Sequence, residues 1–291
     1  MNFLKSFVVG MVLLTLSILQ IPAQVLFSDG FESYTAGSSP LDKNVAGPNS
    51  APNGSGNPWF GPVPPNLLVV GTTGGVNPHS GANMVTARLP GDFDQDWVNL
   101  AYRVNGGANL QGNVILDWWF YDPLGAGGSN FRDYAALGNY TAAPTTTDYP
   151  TGGSLNGGSV LQRLSLGASN PAGFNANNYQ ARVVGATDGT ASGQWFNVGT
   201  RSVGWHEGAI VLGVPNGANT LVSFLIDGVD VLDHVISTTG GINVIELNDG
   251  FGSSPAFYDD VTLSAVAVPE PSTVALFLCG GLSWLALRRR K

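Results

Sequence analysis

The stretch Val114-Ile-Leu-Asp-Trp-Trp-Phe-Tyr121 decides the fold of this chain. Successive side chains of a strand point to opposite faces of its sheet, so residues two apart share a face. One face receives Val114, Leu116, Trp118 and Phe120, and the other receives Ile115, Asp117, Trp119 and Tyr121. The first set is entirely apolar. The pattern therefore predicts a strand with one face in a hydrophobic core.

Residues 221–234 predict a β-hairpin. Val222, Phe224 and Ile226 alternate with their neighbours before Asp227-Gly228, and the alternation resumes at Val229 and Val231. Asp-Gly between two such runs is typical of a two-residue turn, because both turn positions then need a positive φ.

The rest of the chain predicts short strands separated by turns. The 40 Gly and 18 Pro residues supply turn positions, and almost no helical periodicity is present. Residues 37–66 are rich in Gly, Ser, Asn and Pro and predict a long loop around Trp59. We therefore expect an all-β, two-sheet sandwich. The other strand candidates lie at 25–35, 67–70, 82–88, 97–104, 134–139, 160–166, 179–184, 195–200, 205–212, 242–247 and 256–263.

The N-terminal residues 1–23 predict a secretory signal peptide. Lys5 precedes an apolar run, and Ala23 supplies a small residue at the expected cleavage point before Gln24. We expect export by the Sec route. Residues 24–267 then form the folded domain.

The charge of that domain excludes one class of partner. Removing Lys5 and the four terminal cations leaves seven Lys and Arg, and removing Glu270 leaves nineteen Asp and Glu, so the formal charge is 7 − 19 = −12. Nucleic acid is not an expected partner, because no basic stripe is available to displace its counterions. An acidic exported domain is instead compatible with Ca²⁺ or neutral ligands.

The C-terminal residues 268–291 form a segment of three parts. Val268-Pro-Glu-Pro271 is predicted to be accessible, because proline interrupts both helices and strands. Residues 274–287 follow as an apolar run, and four basic residues, 288–291, end the chain. A helix over 274–287 is about 21 Å long, short of the roughly 30 Å hydrocarbon core. The cations are expected to stay cytoplasmic, and an ordinary C-terminal anchor is the alternative interpretation of this segment.

This order of parts resembles the PEP-CTERM sorting signal of Gram-negative bacteria. The resemblance covers 268–291 only. It implies that the short helix holds the protein transiently in the inner membrane. It further implies that an exosortase, a membrane protease-transpeptidase, processes the tag at Val268, Pro269, Glu270 and Pro271. The mature protein is then expected at the cell surface or in the extracellular matrix.

The exported domain resembles concanavalin A-like lectin and laminin-G jelly-roll sandwiches, a group that includes glucanases. Gly204-Trp-His206 precedes an apolar strand, and Val222–Asp230 carries a Phe-Leu-Ile-Asp-Gly hairpin. Asp29–Glu32 near the start and Phe257–Val261 near the end fit the same group, in which the first and last strands meet. This likeness is diffuse and implies the fold more than the function.

A structural Ca²⁺ site is the first candidate for chemistry. If the first and last strands pair, the carboxylates of Asp29, Glu32, Asp259 and Asp260 converge, and hard oxygen ligands suit Ca²⁺. The single cysteine, Cys279, lies in the apolar C-terminal run. The domain therefore cannot form an internal disulfide, and a metal would replace that support. The alternative is that these carboxylates cap turns.

Saccharide binding is the second candidate. Asp117, Trp119 and Tyr121 share a face, and Trp59 and Trp97 lie in or beside loops. Sugar sites combine aromatic rings with carboxylates, although large aromatic residues are more often core. Polysaccharide is therefore the expected partner of the exported domain.

Catalytic motifs are absent from the sequence. It has no paired-carboxylate strand motif, nucleophile elbow or phosphate loop. We expect a non-catalytic protein that binds or organises exopolysaccharide in the extracellular matrix. A polysaccharide-degrading glycoside hydrolase or lyase and a purely structural matrix protein are the alternatives.

Overall fold

The computed structural model describes the greater part of residues 24–266. Its described ranges are 24–38, 59–60, 68–86, 98–103, 109–127, 133–140, 160–168, 175–185, 193–237, 241–249 and 255–266. Val25–Ala265 belong to one compact unit. The predicted signal peptide, Val268–Pro271 and the predicted helix 274–287 lie outside the described residues.

The described residues form two antiparallel sheets and contain no helix, as the all-β prediction requires. The described strands of sheet A are β1 (Gln24–Asp29), β3 (Leu68–Val70), β4 (Met84–Thr86), β6 (Val114–Asp122), β11 (Gly204–Leu212), β12 (Asn219–Ile226), β13 (Val229–Ser237) and β15 (Phe257–Ala265). Those of sheet B are β2 (Trp59–Phe60), β5 (Val98–Arg103), β7 (Asp133–Tyr140), β8 (Val160–Ala168), β9 (Asn178–Gly185), β10 (Gln194–Thr200) and β14 (Val244–Asp249).

The eight strands of sheet A lie in the order β13-β12-β11-β6-β15-β4-β3, with β1 also paired to β15. The seven strands of sheet B lie in the order β10-β9-β8-β7-β14-β5-β2.

The chain passes repeatedly from one sheet to the other. Strands β6 and β7 are consecutive but lie in different sheets, as do β10 and β11 and also β14 and β15. Sequentially distant strands consequently become neighbours, such as β6 beside β11 and β15. This is the connectivity of a jelly-roll sandwich.

The hydrophobic core lies between the two sheets. The apolar face of β6 contributes Leu116, Trp118 and Phe120, all fully buried, so the alternation at 114–121 is confirmed. Trp118 lies over Gly208 of the neighbouring β11, where a Cβ atom would come within 2.4 Å of the indole ring. Glycine at position 208 thus makes room for the large side chain opposite it. Sheet B contributes the fully buried Leu137, Leu164, Leu166, Val183 and Ile245 to the same core.

The predicted hairpin and the predicted pairing of terminal strands are both present. Strands β12 and β13 are joined by Asp227 and Gly228, whose φ angles of 51° and 72° are those of a type I′ turn. Strand β1 pairs with β15, and the hydroxyl oxygens of Ser28 and Thr262 are 3.2 Å apart across them. The short strand at Trp59 was predicted as loop; it pairs with β5 through two residues.

Among the described residues, no helix has the length and apolar character needed to span a bilayer.

Candidate functional site

The face of sheet A opposite the core carries three of the predicted saccharide-binding residues. Asp117, Trp119 and Tyr121 alternate with the core residues of β6 and are each half-buried. The neighbouring strand β11 places Trp205 opposite Tyr121 and Glu207 opposite Trp119. We call these five residues the aromatic–carboxylate face.

The aromatic rings of this face are in mutual contact. The ring centroids of Tyr121 and Trp205 are 5.6 Å apart at an interplanar angle of 69°. Phe257 of β15 lies 6.3 Å from Tyr121, also edge to face. These edge-to-face pairs fix the rings in one arrangement.

A loop that carries His79 crosses the same face. The His79 imidazole stacks on the Trp119 indole with centroids 3.6 Å apart and planes 11° apart. Its Nδ1 lies 2.8 Å from Oδ2 of Asp260. The loop is further held by a hydrogen bond from Trp205 Nε1–H to the Asn77 carbonyl oxygen at 2.9 Å. One side of the Trp119 indole is therefore occupied by protein.

The carboxylates of this region are electrostatically perturbed. Burial, and secondarily the negative charge of Glu207, raise the pKa of Asp117 to about 6. Burial also raises the pKa of Asp259 to about 6, although the backbone N–H of Ser80 opposes that shift by donating a hydrogen bond to the carboxylate. At neutral pH the half-buried Asp117 and the fully buried Asp259 carry charge at a cost in folding free energy.

The four residues predicted to bind Ca²⁺ all contact the turn that follows β1 or the loop at 79–83. Glu32 Oε1 accepts hydrogen bonds from the backbone N–H groups of Ala82 and Asn83, each at 2.8 Å. Asp259 accepts from Ser80 N–H at 3.1 Å, and Asp260 Oδ1 accepts from the Ser80 hydroxyl at 2.8 Å. These contacts tie the loop to β15 and to the turn that follows β1.

Asp29 has a different role from the other three. Its Oδ1 accepts from the backbone N–H of Phe31, and its Oδ2 accepts from the Tyr34 hydroxyl and from Trp59 Nε1–H. Among the described residues, no group of three or more His, Cys, Asp or Glu side chains is placed to hold a metal ion. The observed contacts are those of turn caps, and the Ca²⁺ prediction remains to be tested by experiment.

The two remaining predicted saccharide-binding residues lie elsewhere. Trp59 is fully buried and stacks on Phe31, with ring centroids 6.1 Å apart. Its indole therefore packs in the core, and we leave it out of the proposed site. Trp97 lies outside the described residues.

The face of sheet B opposite the core has a contrasting character. Arg163 and Glu246 form an ion pair, with Nη2 and Oε2 2.8 Å apart and both side chains almost fully buried. Arg182 lies over the Trp195 ring at 4.7 Å, and Arg163 lies over the Tyr134 ring at 5.3 Å. Burial, and secondarily the charge of Arg163, lower the pKa of Arg182 to about 10. We call these five residues the arginine face.

Sequence reasoning missed several of these residues. His79, Trp205 and Glu207 reach the aromatic–carboxylate face only through strand order and register, which the spacing of residues does not encode. The Gly204-Trp-His206 motif was noticed as a mark of fold, although alternation along β11 could have assigned Trp205 and Glu207 to one face. No local pattern indicates that Arg163 meets Glu246.

Neither the models of protein families nor the curated proteins include a match to this chain. Solved structures with a similar arrangement include a carbohydrate esterase, vb_24B_21, from the Shiga toxin-encoding bacteriophage phi24B. Its TM-score is 0.48 at 14% identity, covering 84% of this chain and 100% of the esterase. An endo-1,3-β-glucanase from Streptomyces sioyaensis also has a TM-score of 0.48 at 14% identity, covering 84% and 97% of the two chains. The Emp47p carbohydrate recognition domain has a TM-score of 0.44 at 11% identity, covering 70% and 90%. Such likenesses assign neither a ligand nor an activity to this chain.

Proposed function

We propose that this chain is an exported jelly-roll protein of the concanavalin A-like type that binds exopolysaccharide through its aromatic–carboxylate face. The observation that carries the proposal is the placement of Asp117, Trp119 and Tyr121 together, half-exposed and extended by Trp205 and Glu207. A saccharide presents apolar ring faces and hydroxyl edges, so it suits aromatic edges that alternate with carboxylate acceptors. The sheet backbone beneath the face would hold these groups in place before a ligand arrives.

The experiment is retention of the purified exported domain on polysaccharide affinity gels. Trp119→Ala should abolish the retardation of the wild-type protein, because it removes the central ring of the face. Trp195→Ala is the matched control, since Trp195 is also a half-buried tryptophan but belongs to the arginine face. Near-ultraviolet circular dichroism would check that both variants remain folded. Equal retardation of wild type and Trp119→Ala would refute the proposal.

Glycoside hydrolysis is the second candidate, and the electrostatics of Asp117 favour it. Burial and the neighbouring charge of Glu207 raise the pKa of Asp117 to about 6, which suits a general acid, and Glu207 offers the second carboxylate that such a site needs. Release of reducing sugar that disappears in both Asp117→Asn and Glu207→Gln would establish catalysis here. Binding without any release of reducing sugar would leave the non-catalytic proposal in place. If the site has no ligand at all, the chain is a structural matrix protein.

The location of the protein is a proposal from residues 268–291. We propose that an exosortase processes the chain near Val268–Pro271 after the apolar run has held it transiently in the inner membrane. Mass spectrometry of the mature protein from a host with an intact exosortase should find no peptide that contains Arg288–Lys291. Recovery of that terminal peptide from the mature protein would contradict processing.

Structural Ca²⁺ is a separate proposal, supported by the pairing of β1 with β15 and by the carboxylates that meet the 79–83 loop. Added Ca²⁺ should raise the midpoint of thermal unfolding, and EDTA should lower it, because a ligand of the native state stabilises that state. Mg²⁺ serves as the control ion. An unchanged midpoint under all three conditions would remove Ca²⁺ from the description of this domain.

A further inference from the structure

Three polar side chains meet in a row at one end of the sandwich. Ser202 lies in the connection between β10 and β11, His206 lies on β11, and Asp227 lies in the β12–β13 turn. The Ser202 Oγ and His206 Nε2 atoms are 3.2 Å apart. On the other side of the ring, His206 Nδ1 is 2.8 Å from Asp227 Oδ2. Serine, histidine and aspartate are thus joined in the order that nucleophilic catalysis requires.

Asp227 fixes the orientation of the imidazole. Its Oδ1 accepts a hydrogen bond from the backbone N–H of Glu207 at 3.0 Å, and its own N–H donates to the Glu207 carbonyl oxygen at 2.8 Å. Both ring nitrogens face acceptors, the Asp227 carboxylate at Nδ1 and the Ser202 carbonyl oxygen at Nε2. Because the charged carboxylate is the stronger acceptor, the hydrogen of the neutral ring belongs on Nδ1. The lone pair of Nε2 is then directed toward Ser202.

The backbone around Ser202 is firmly held. The preceding residue, Arg201, is buried and contacts both carboxylate oxygens of Asp122, at 2.8 and 2.9 Å. The Arg201 N–H also donates to the Asn177 carbonyl oxygen at 2.9 Å. A positioned nucleophile needs such support, because small displacements of the reacting atom cost rate.

The histidine of this row is buried and the serine is exposed to solvent. The ring of His206 packs between Phe120 and Tyr179, with centroid distances of 5.8 and 5.6 Å, and the residue is only 7% exposed. Ser202 is exposed. The hydroxyl can therefore reach a ligand from solvent while its histidine partner is shielded.

We propose that Ser202, His206 and Asp227 form a serine-hydrolase triad that cleaves carboxylic esters of small acyl groups. In the first step Ser202 Oγ bonds to the ester carbonyl carbon and its proton passes to Nε2. His206 returns that proton to the departing alcohol as the ester C–O bond breaks, which leaves an acyl-serine. Water, activated by the same nitrogen, then releases the acid and restores the serine hydroxyl.

A second contact of Nε2 bears on these steps. The same nitrogen lies 2.9 Å from the carbonyl oxygen of Ser202. When Nε2 gains the serine proton, its N–H has an acceptor at once, and Asp227 accepts from the opposite nitrogen. Both hydrogens of the imidazolium formed during acylation are therefore hydrogen-bonded inside the protein.

The test uses the exported protein with p-nitrophenyl acetate and with a fluorophosphonate probe that labels activated serines. Wild-type protein should hydrolyse the ester, and mass spectrometry should place the probe on Ser202. Ser202→Ala should remove the labelling and at least 100-fold of the rate. Ser33→Ala is the control, because Ser33 is also exposed but lies outside this row.

Variants of the other two residues separate catalysis from folding. Asp227→Asn and His206→Gln should each lower the rate of probe labelling while Ser202 is still present. Because these variants can also destabilise the end of the sandwich, the decisive comparison is Ser202→Ala, which leaves the His206–Asp227 contact intact. The proposal would be overturned if Ser202→Ala still hydrolysed the ester and bound the probe. It would also be overturned if the wild-type protein showed no more hydrolysis or labelling than Ser202→Ala.

Discussion

The outward faces of the two sheets differ in how their charged side chains are arranged. The aromatic–carboxylate face of sheet A leaves Asp117 half-buried beside Glu207, so like charges are neighbours. The arginine face of sheet B buries Arg163 against Glu246, so opposite charges are paired away from solvent. The first arrangement costs folding free energy and keeps acceptor groups within reach of a ligand. The second recovers its desolvation cost only while both partners are present.

The largest effect should come from breaking the buried pair of sheet B. Glu246→Ala leaves the Arg163 guanidinium buried without its carboxylate, so the free energy of unfolding should fall by about 3–5 kcal/mol. Urea unfolding followed by fluorescence would measure the change. Glu207→Ala on sheet A is the matched control and should change stability by less than about 1 kcal/mol, because that side chain is half-exposed. A loss at Glu246 no greater than the control would erase the contrast between the faces.

The next effect should come from Asp259, which lies beside Trp119 at the border of the aromatic–carboxylate face. Ser80 N–H and Asp260 N–H both donate to the Asp259 carboxylate. Asp259→Asn replaces one of the two acceptor oxygens by an NH2 group, which cannot accept, so one donor loses its partner. We expect the cost of the unsatisfied buried donor to exceed the gain from removing a buried charge, with a net loss of about 1–3 kcal/mol. Thermal unfolding measures this loss. Unchanged stability would mean that the loop at 79–83 needs no anchor on β15.

Asp117→Asn should instead raise the free energy of unfolding, and by less than Asp259→Asn lowers it. Because the folded-state pKa is raised from 3.8 to about 6, the native state binds protons more tightly than the unfolded chain does. The contribution of Asp117 to stability is therefore greatest below pH 4 and declines as the pH rises through 6. Removing the titrating group should stabilise the protein at pH 7 by roughly 1 kcal/mol and flatten that decline.

The pH series for Asp117→Asn has an internal comparison. Asp259 has a raised pKa as well, so the variant should keep part of the dependence between pH 4 and 6. Urea titrations at each pH would measure the free energy of unfolding. If its dependence on pH were the same in wild type and Asp117→Asn, the charge of Asp117 would not be destabilising the native state.

The smallest effect should come from the contact between Arg182 and Trp195. Trp195→Leu keeps an apolar side chain but removes the aromatic ring beneath the guanidinium, so we expect a loss of about 0.5 kcal/mol. Trp195→Phe keeps a ring and should be closer to wild type. If the two variants are equally stable in thermal unfolding, the ring contributes packing and no cation–π attraction.

The sequence contained most of the strand pattern because strand alternation is local. The alternation of residues 114–121 shows which of them share a face of the sheet, and the pair Asp227-Gly228 is typical of the turn that it forms. The pairing of β1 with β15 was predictable only through the resemblance to jelly rolls. The two-residue strand at Trp59 escaped prediction because it is too short to alternate and pairs with β5 from within a Gly- and Pro-rich stretch.

The candidate sites were predictable only in part, and for the same reason. Asp117, Trp119 and Tyr121 lie on one strand, so their common face follows from their spacing. Their partners lie on strands that are distant in sequence, and the strand order decides which of those residues meet. Ser202, His206 and Asp227 meet through a connection, a strand and a turn, so the alternation of one strand could not have brought them together.

The position of β15 determines how the domain would respond to a mechanical load. Strand β15 has β6 on one side and β4 and β1 on the other, whereas β1 pairs, among the strands that the structure describes, with β15 alone. A force applied at Gln24 needs to detach one strand from one neighbour. A force applied beyond Ala265 has to separate β15 from β6 and from the strands opposite it before the sheet opens. A protein tethered by its C-terminal end would therefore hold its load at the better-supported terminus.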